Sequence, residues 1–301
     1  MKNYKKNLFF FSTITTIISL IFFFSTGILS KDKKTGIKKI EIPSYSSKSQ
    51  IIKHNYYTLK YNEKYEQAEW IAYKLTSNHL KYKLKRANNF RLDPLVFTGS
   101  ATLQDYKNSG FDRGHLVPAA DMKRSKIAMS ESFFMSNMSP QRPNFNRGIW
   151  KKLESLVRHW VLINKELFIV TAGVLKGRLK MIGPNNVAVP EYFYKAILDY
   201  KKPGLKCIAF ILPNKKSTKN LKNYAISIDK LEKLTGIDFF PSLPNKIEEK
   251  LESTLRLSDW PFTFNTKPLN INSYRCKGKT KKGHRCKRKV SNPGDYCSQH
   301  R

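Results

Sequence analysis

The stretch 111–154 constrains this chain more than any other part of its sequence. It opens with DRGH at 112–115 between apolar flanks, which predicts a short strand. It closes on a segment whose apolar spacing predicts a helix, and that helix carries Asn146 and Glu154. The fold must therefore bring a strand and a following helix together around a small set of polar groups.

The helix pattern places both polar residues toward the protein interior. Its apolar positions recur at helical spacing in two neighbouring rows, Ile149, Leu153, Leu156, Trp160 and Trp150, Val157, Val161. Asn146 falls in line with the first row and Glu154 in the second. A carboxylate on such a face is costly unless it is paired or bound to a metal. The alternative is that Asn146 caps the helix and Glu154 pairs with a nearby Lys or Arg, and both interpretations stay open.

These side chains have the chemistry needed for metal-assisted attack on a phosphodiester. His115 can accept a proton from water near neutral pH, because the unperturbed pKa of histidine is about 6.5. Arg113 can hold a phosphate oxygen with a planar fork of donors. Asn146 and Glu154 offer hard oxygen ligands, which suit Mg²⁺ better than Zn²⁺.

The order of motifs resembles the DNA/RNA non-specific endonuclease family, to which endonuclease G belongs. The resemblance spans residues 55–262 and is carried by GFDRGHL at 110–116, ADM at 120–122, FFMSNMSPQ at 133–141, FNRGIWKKLE at 145–154 and, more loosely, TGIDFFPSLP at 235–244. It implies a ββα-metal core that cuts DNA and RNA with little sequence preference. It also implies 5′-phosphate products and a frequent homodimer.

The resemblance implies roles for five residues here. His115 matches the general base, and Asn146 matches the direct ligand of Mg²⁺ (or Mn²⁺). Glu154 matches a carboxylate that reaches the metal through a water. Arg113 matches an arginine that stabilises the phosphate, and Asn137 a polar residue that supports the site.

A further basic residue is implied upstream of the motif core. Arg86 and Arg91 both flank the NNF segment at 88–90. The spacing leaves open which of the two takes that place.

The remaining pattern predicts an α+β fold with a largely antiparallel central sheet flanked by helices. Strands are predicted at 166–174, 186–200 and 205–213, and a helix at 221–235 with Gly236 as its C-cap. The segment 61–76 is interpreted as a helix or a strand–helix unit. Strands paired around helices without a regular βαβ order favour this class.

The first 30 residues are typical of a targeting segment. A basic start, MKNYKK, precedes the uncharged and mostly apolar run LFFFSTITTIISLIFFFSTGIL. That run is long enough to cross a bilayer, so a cleaved signal peptide and a retained membrane anchor both stay open. Either predicts export, to the periplasm or the exterior, or anchorage in the membrane. We predict a flexible basic linker at 31–50 and the endonuclease domain at 51–268.

The tail at 272–301 has a different composition. Its pattern is C-x9-C-x10-C-x2-H, formed by Cys276, Cys286, Cys297 and His300. Three thiolates and an imidazole suffice for a closed tetrahedral Zn²⁺ site. A disulfide is the alternative, because exported chains often pair their cysteines; Cys207 lies in an apolar strand, which leaves three tail cysteines for one bridge.

The charge balance favours a polyanionic partner. The chain has 56 Lys+Arg against 22 Asp+Glu, a formal net charge of +34, and nine of the basic residues lie between Arg275 and Lys289. Nucleic acid and an anionic membrane surface both fit, although scattered lysines on solvated faces contribute to the excess. Two functions follow: an exported, Mg²⁺-dependent endonuclease acting on DNA and RNA, or a catalytically inert, membrane-tethered nucleic-acid-binding module.

Overall fold

Seven strands pair antiparallel in one sheet at the centre of the chain, in the order β1-β2-β3-β6-β9-β10-β11. The computed structural model describes residues 39–201, 204–263, 274–280, 283–290, 295–297 and 299–300. In chain order the strands are β1 (Gln50–Lys53), β2 (Thr58–Asn62), β3 (Gln67–Thr76), β4 (Asp112–His115), β5 (Met138–Gln141), β6 (Glu166–Gly173), β7 (Lys180–Ile182), β8 (Val187–Val189), β9 (Tyr192–Asp199), β10 (Lys206–Pro213), β11 (Ala225–Ile226), β12 (Tyr274–Arg275) and β13 (Lys289–Val290).

Helices cover the sheet and complete the core. They are α1 (Leu103–Tyr106), α2 (Lys126–Glu131), α3 (Lys151–Asn164), α4 (Ile228–Thr235) and α5 (Asn245–Glu252). Helix α3 packs against β3 and β6, while α4 and α5 pack against β10. The central strands are therefore buried along nearly their whole length, as in β9, where every residue after Tyr192 is buried. The predicted α+β class with an antiparallel sheet is confirmed.

A short hairpin beside the large sheet carries the DRGH motif. Strand β4 pairs antiparallel with β5, with Asp112 opposite Gln141 and His115 opposite Met138. A wide π-helical turn at Phe145–Trp150 then leads directly into α3. Two strands followed by a helix form the ββα unit that the resemblance implied.

Two segments differ from the sequence prediction. Residues 61–76 contain no helix: they end β2 and form β3, which pairs with β2 on one side and β6 on the other. Pairing on both edges decides the conformation there, whatever the local propensity. The helix predicted from residue 221 begins only at Ile228, because the Ser227 hydroxyl accepts from the Lys230 N–H and caps it. Its predicted C-cap, Gly236, is confirmed with φ of 74°.

The end of the predicted linker packs against the body. Ile40 and Ile42 lie against the hydrophobic core, and the Ser44 N–H donates to the carbonyl of Asp238 at 3.0 Å. Residues 39–49 are thus held in place where the sequence predicted a flexible spacer. The predicted targeting segment at 1–30 and the linker residues 31–38 lie outside the described residues.

Within the described ranges, no helix is both long enough and apolar enough to span a membrane.

Three carboxylates meet where α4 and α5 approach each other. Oxygens of Asp229, Glu232 and Glu252 lie within 4.8 Å of one another. Glu252 is buried, and its Oε1 has no hydrogen-bond partner among the described residues. Burial, reinforced by repulsion from Glu232, raises the pKa of Glu252 to about 9.

We expect Glu252→Gln to stabilise the fold at pH 8 by about 1–3 kcal/mol. The folded-state pKa lies above the ordinary value of 4.5. The proton on Glu252 therefore favours the folded state at low pH, and this contribution is lost as pH rises toward 9. Between pH 5 and pH 9, the midpoint temperature of thermal unfolding should fall less steeply for Glu252→Gln than for the native chain. Glu249→Gln, on the exposed side of α5, is the control. Parallel pH curves for Glu252→Gln and the native chain would contradict a buried, protonated Glu252.

Candidate active site

The hairpin β4–β5 places Arg113 and His115 on one face, because alternate residues of a strand point the same way. Gly114 lies between them on the opposite face, where a Cβ would come 2.2 Å from Cδ of Gln141. A larger side chain there would force the buried Gln141 side chain to move. The glycine therefore lets Gln141 pack directly against the strand that carries the arginine and the histidine.

His115 is held as a neutral base with one nitrogen open. Its ring packs edge-on against Phe90 and Phe133, with centroids 5.7 and 4.8 Å away. One ring nitrogen bonds to the backbone of Arg113, and within the described part of the chain the buried Nε2 has no hydrogen-bond partner. Nδ1 must therefore make the backbone bond, which leaves the lone pair on Nε2. Burial first, and then the Arg86 charge, lowers the pKa of His115 to about 3.

Asn137 fixes the chain that leaves β4. Its Oδ1 accepts from the Val117 N–H at 2.9 Å, while its Nδ2 donates to the carbonyls of Val117 (3.1 Å) and Ser132 (2.8 Å). Asn137 is fully buried, and its amide is occupied by backbone groups. This side chain positions the hairpin and does not reach a phosphate.

Asn146 projects from the π-helical turn and is oriented by Asp112. Its Nδ2 donates to Asp112 Oδ2 at 2.9 Å. Only the NH₂ group can donate to a carboxylate, so the Oδ1 of Asn146 points away from Asp112. Arg147 holds the same carboxylate with two bonds of 2.9 and 2.6 Å. Asp112 thus ties β4 to the turn and aims an amide oxygen outward.

The π-helical turn also interrupts the helical spacing that the sequence predicted between Asn146 and the residues of α3. Gly148 has φ of −103° and ψ of −112°, which is not helical, so Asn146 precedes the regular helix. The side chain of Asn146 makes no capping bond there, which removes one part of the alternative interpretation.

Glu154, on the first turn of α3, belongs to a group of interacting charges. Burial raises the pKa of Glu154 to about 7, while Arg158 and Lys195 oppose that rise. Burial likewise lowers the pKa of Lys195 to about 8, against the attraction of Glu154. Asp121 accepts from Arg158 at 2.9 Å and from Tyr73 at 3.0 Å. Glu154 therefore interacts electrostatically with Arg158, Lys195 and Arg86, and its role at the site stays a prediction.

Two arginines flank His115. The Arg113 guanidinium lies 4.4 Å from the ring centroid of Phe90, and that of Arg86 lies 4.7 Å from the centroid of Phe133. Arg86 also interacts electrostatically with both His115 and Glu154. Arg91, in contrast, donates to the backbone of Asn89 and Ser130. The structure thus brings Arg86, and not Arg91, to the site.

Comparison with known proteins agrees with this geometry. The profile of the DNA/RNA non-specific endonuclease family matches residues 28–246. The chain belongs to this family. The matched span contains the whole ββα unit, whereas the tail lies outside it.

Individual relatives of the family show the same extent of similarity. A nuclease of Nostoc sp. is 35% identical over 213 residues, which are 66% of this chain and 76% of the relative. Mitochondrial endonuclease G of Caenorhabditis elegans is 32% identical over 232 residues, 67% of this chain and 75% of the relative. A crystal structure of the EndoG/EndoGI complex, concerned with the mechanism of EndoG inhibition, superposes with a TM-score of 0.65 at 26% identity. The superposition covers 70% of this chain and 93% of the matched chain in that structure.

The candidate site contains residues that the sequence did not assign. Lys195 is buried in β9, where its Nζ donates to Thr171 at 3.1 Å and lies 4.9 Å from the ring centroid of Trp150. A single lysine inside an apolar strand was the available signal. Asp112 and Asp121 lay within quoted motifs, but their partners come from distant segments of the chain.

Arg86→Ala should lower the nuclease activity expected of this family by about 10-fold or more, whereas Arg91→Ala should leave it within about 2-fold. Both variants remove a guanidinium that stacks on a phenylalanine, so each loses one such contact. Rates on duplex DNA at saturating cation give the comparison. A larger loss from Arg91→Ala would reverse the assignment.

Proposed function

We propose that this protein is a divalent-cation-dependent endonuclease that hydrolyses phosphodiester bonds of DNA and RNA. Family membership supports the reaction class. The observation that carries it is His115, a buried neutral imidazole whose Nε2 has no hydrogen-bond partner among the described residues and which lies between two arginines.

The residues divide the work as follows. His115 Nε2 takes a proton from the attacking water as its oxygen bonds to phosphorus, and the bond from phosphorus to the 3′ oxygen breaks. Arg113 and Arg86 hold the phosphate and stabilise the charge that develops on its oxygens. The departing 3′ oxygen takes a proton from water, so the cleavage leaves a 5′-phosphate and a 3′-hydroxyl.

The donor set fits Mg²⁺ or Mn²⁺. Asn146 would bind the cation directly through the oxygen that Asp112 orients, and Glu154 would hold it through a water. Mg²⁺ keeps most of its waters and takes few protein oxygens, which such a sparse site allows. When bound, the cation supplies Lewis-acid stabilisation of the phosphate.

The contacts that this site offers to a substrate are with phosphate, and phosphate contacts carry no sequence information. Cleavage of both DNA and RNA without sequence preference follows. The net charge of +34 adds long-range attraction to any polynucleotide.

Digestion of supercoiled plasmid and of a folded RNA tests the proposal. With Mg²⁺ both substrates should be cut, and EDTA should stop the reaction. The new ends should accept a label only after phosphatase treatment, because they carry 5′-phosphates. Retarded but intact plasmid across a Mg²⁺ titration would instead indicate the inert binding module.

We also propose that the protein is exported, on the basis of its N-terminal segment. The basic start and long apolar run of residues 1–30 support export, with the segment either cleaved or retained as an anchor. N-terminal sequencing of the protein from the membrane and soluble fractions of the producing cell separates a cleaved segment from a retained one.

We also propose that the protein forms a homodimer, and light scattering of the purified chain tests this.

A further inference from the structure

The tail brings four metal-ligand side chains together from three separate segments. The four are Cys276, Cys286, Cys297 and His300, and their ligand atoms all lie within 4.8 Å of one another. The separations are 3.9 Å between Cys286 and Cys297 Sγ, 3.5 Å from Cys276 Sγ to His300 Nδ1, and 3.3 Å from Cys297 Sγ to the same nitrogen. We propose that these side chains bind one Zn²⁺ ion, which folds the tail into a basic module that contacts nucleic-acid phosphates.

The separations match the edges of a zinc tetrahedron. Zn–S bonds of about 2.3 Å and Zn–N bonds of about 2.0–2.1 Å give edges of about 3.8 Å between sulfurs and about 3.6 Å between sulfur and nitrogen. The three distances above lie within about 0.3 Å of these values. All four positions of the tetrahedron are protein ligands, which is the pattern of a structural site and not a catalytic one.

A disulfide does not fit the same atoms. The sulfurs of Cys286 and Cys297 are 3.9 Å apart, far beyond the S–S bond length of about 2.05 Å, and all four cysteines of the chain are unpaired. Cys207 is buried in β10, where its thiol donates to the carbonyl of Leu251 at 2.9 Å. It cannot provide a partner for the odd tail cysteine.

The backbone of the tail is shaped around the four ligands. Strands β12 and β13 pair, and the N–H groups of Gly278 and Cys297 both donate to the Cys276 sulfur, at 3.3 and 3.2 Å. Gly278 packs directly against His300, since a Cβ there would come 2.5 Å from Cγ of the ring. A glycine is thus required next to a ligand that lies far along the chain.

The tail has no other means of folding among its described residues. Its buried cluster consists of the three cysteines, with Val290 packed against them. Such a segment cannot offset its conformational entropy with apolar burial, whereas metal binding to Cys and His ligands can supply the folding free energy.

Zinc binding would also bring the basic side chains of the tail together on one surface. This part of the inference rests on the proposed function. Where the structure describes the side chains of the tail, six basic ones are exposed: Arg275, Lys277, Lys279, Arg285, Lys287 and Arg288. All but Lys277 line one cleft, together with His284 and His300. A phosphate backbone is the polyanion that such a cleft fits, because it presents regularly spaced negative charges.

Metal analysis of the full-length protein tests the zinc site without reference to activity. Protein made in zinc-supplemented cells and purified without chelators should contain one zinc per chain. Cys286→Ser should bring this close to zero, and Cys207→Ser, which removes a buried cysteine outside the tail, should leave it at one. Gly278→Ala should lower zinc retention against a competing chelator by about 10-fold or more, although it removes no ligand.

Two results would overturn the zinc site. One is a native protein with no zinc and three tail thiols open to alkylation. The other is a native protein with no zinc and two tail thiols blocked, which would indicate a disulfide. A chain that binds zinc but leaves nucleic acid intact would contradict the proposed function alone.

The salt dependence of binding tests the basic face. In Mg²⁺-free buffer without chelator, log affinity for duplex DNA is measured against log salt. Glutamine at Lys279, Lys287 and Arg288 should reduce the slope by about 2 to 3 while zinc content stays at one per chain. The control places glutamine at three exposed lysines of α4 and α5, namely Lys230, Lys233 and Lys250. If the tail variant and the control show equal slopes, the tail charges only face solvent.

Discussion

The His115→Ala variant is expected to lose about 10²–10⁴-fold in kcat on duplex DNA while keeping its fold and its affinity for the substrate. The reason is the unpartnered Nε2, which lies in a neutral ring between two arginines. Removing the ring takes away the proton acceptor but leaves both guanidinium groups that hold the phosphate. Single-turnover cleavage rates measure the loss of the chemical step, and fluorescence anisotropy measures binding.

His159→Ala is the control, because this histidine lies on α3 but was not assigned to the site. His115 fills a space between Phe90 and Phe133, so its removal could disturb the packing there. Circular dichroism and thermal unfolding therefore test whether the variant keeps its fold. A His115→Ala protein that cuts DNA at near-native rates would remove this residue from the mechanism.

Asn146→Ala should abolish cleavage across the whole range of Mg²⁺ concentrations that saturates the native enzyme. The side chain supplies the amide oxygen that Asp112 aims outward, and alanine has no replacement ligand. Glu154→Gln should act differently, because a group that holds the cation through water changes metal affinity by about 10–100-fold. Its rate should recover at high Mg²⁺.

Asp112→Ala completes the series. It leaves the Asn146 oxygen in place but removes the carboxylate that orients it, so its effect should fall between the other two. Titrations of rate against Mg²⁺ concentration for the three variants give the order. A harmless Glu154→Gln at limiting Mg²⁺ would mean that this carboxylate serves only Arg158 and Lys195.

The sequence predicted those parts of the site that depend on local spacing. The DRGH strand and helix α3 are each specified by neighbouring residues, so periodicity and motif order were sufficient. The π-helical turn was not predictable in this way, since Gly148 departs from helical geometry inside an otherwise helical pattern.

Contacts between distant segments of the chain determine the features that the sequence did not predict. The choice of Arg86 over Arg91 depends on which guanidinium meets Phe133 and His115, and both arginines flank the same NNF segment in the sequence. Lys195 reaches the site only because β9 pairs with β6. Residues 61–76 form a strand for the same reason, as neighbours on both edges determine their conformation.

The pocket around His115 has a consequence for how the enzyme responds to anions. An imidazolium there would be buried beside Arg86, so burial and the arginine charge both disfavour the protonated ring. A phosphate bound by the same arginines adds negative charge and makes protonation of the ring easier. A bound substrate phosphate should therefore make His115 a stronger proton acceptor for the attacking water. Simple anions such as inorganic phosphate should inhibit by occupying Arg86 and Arg113, the side chains proposed to hold the substrate phosphate.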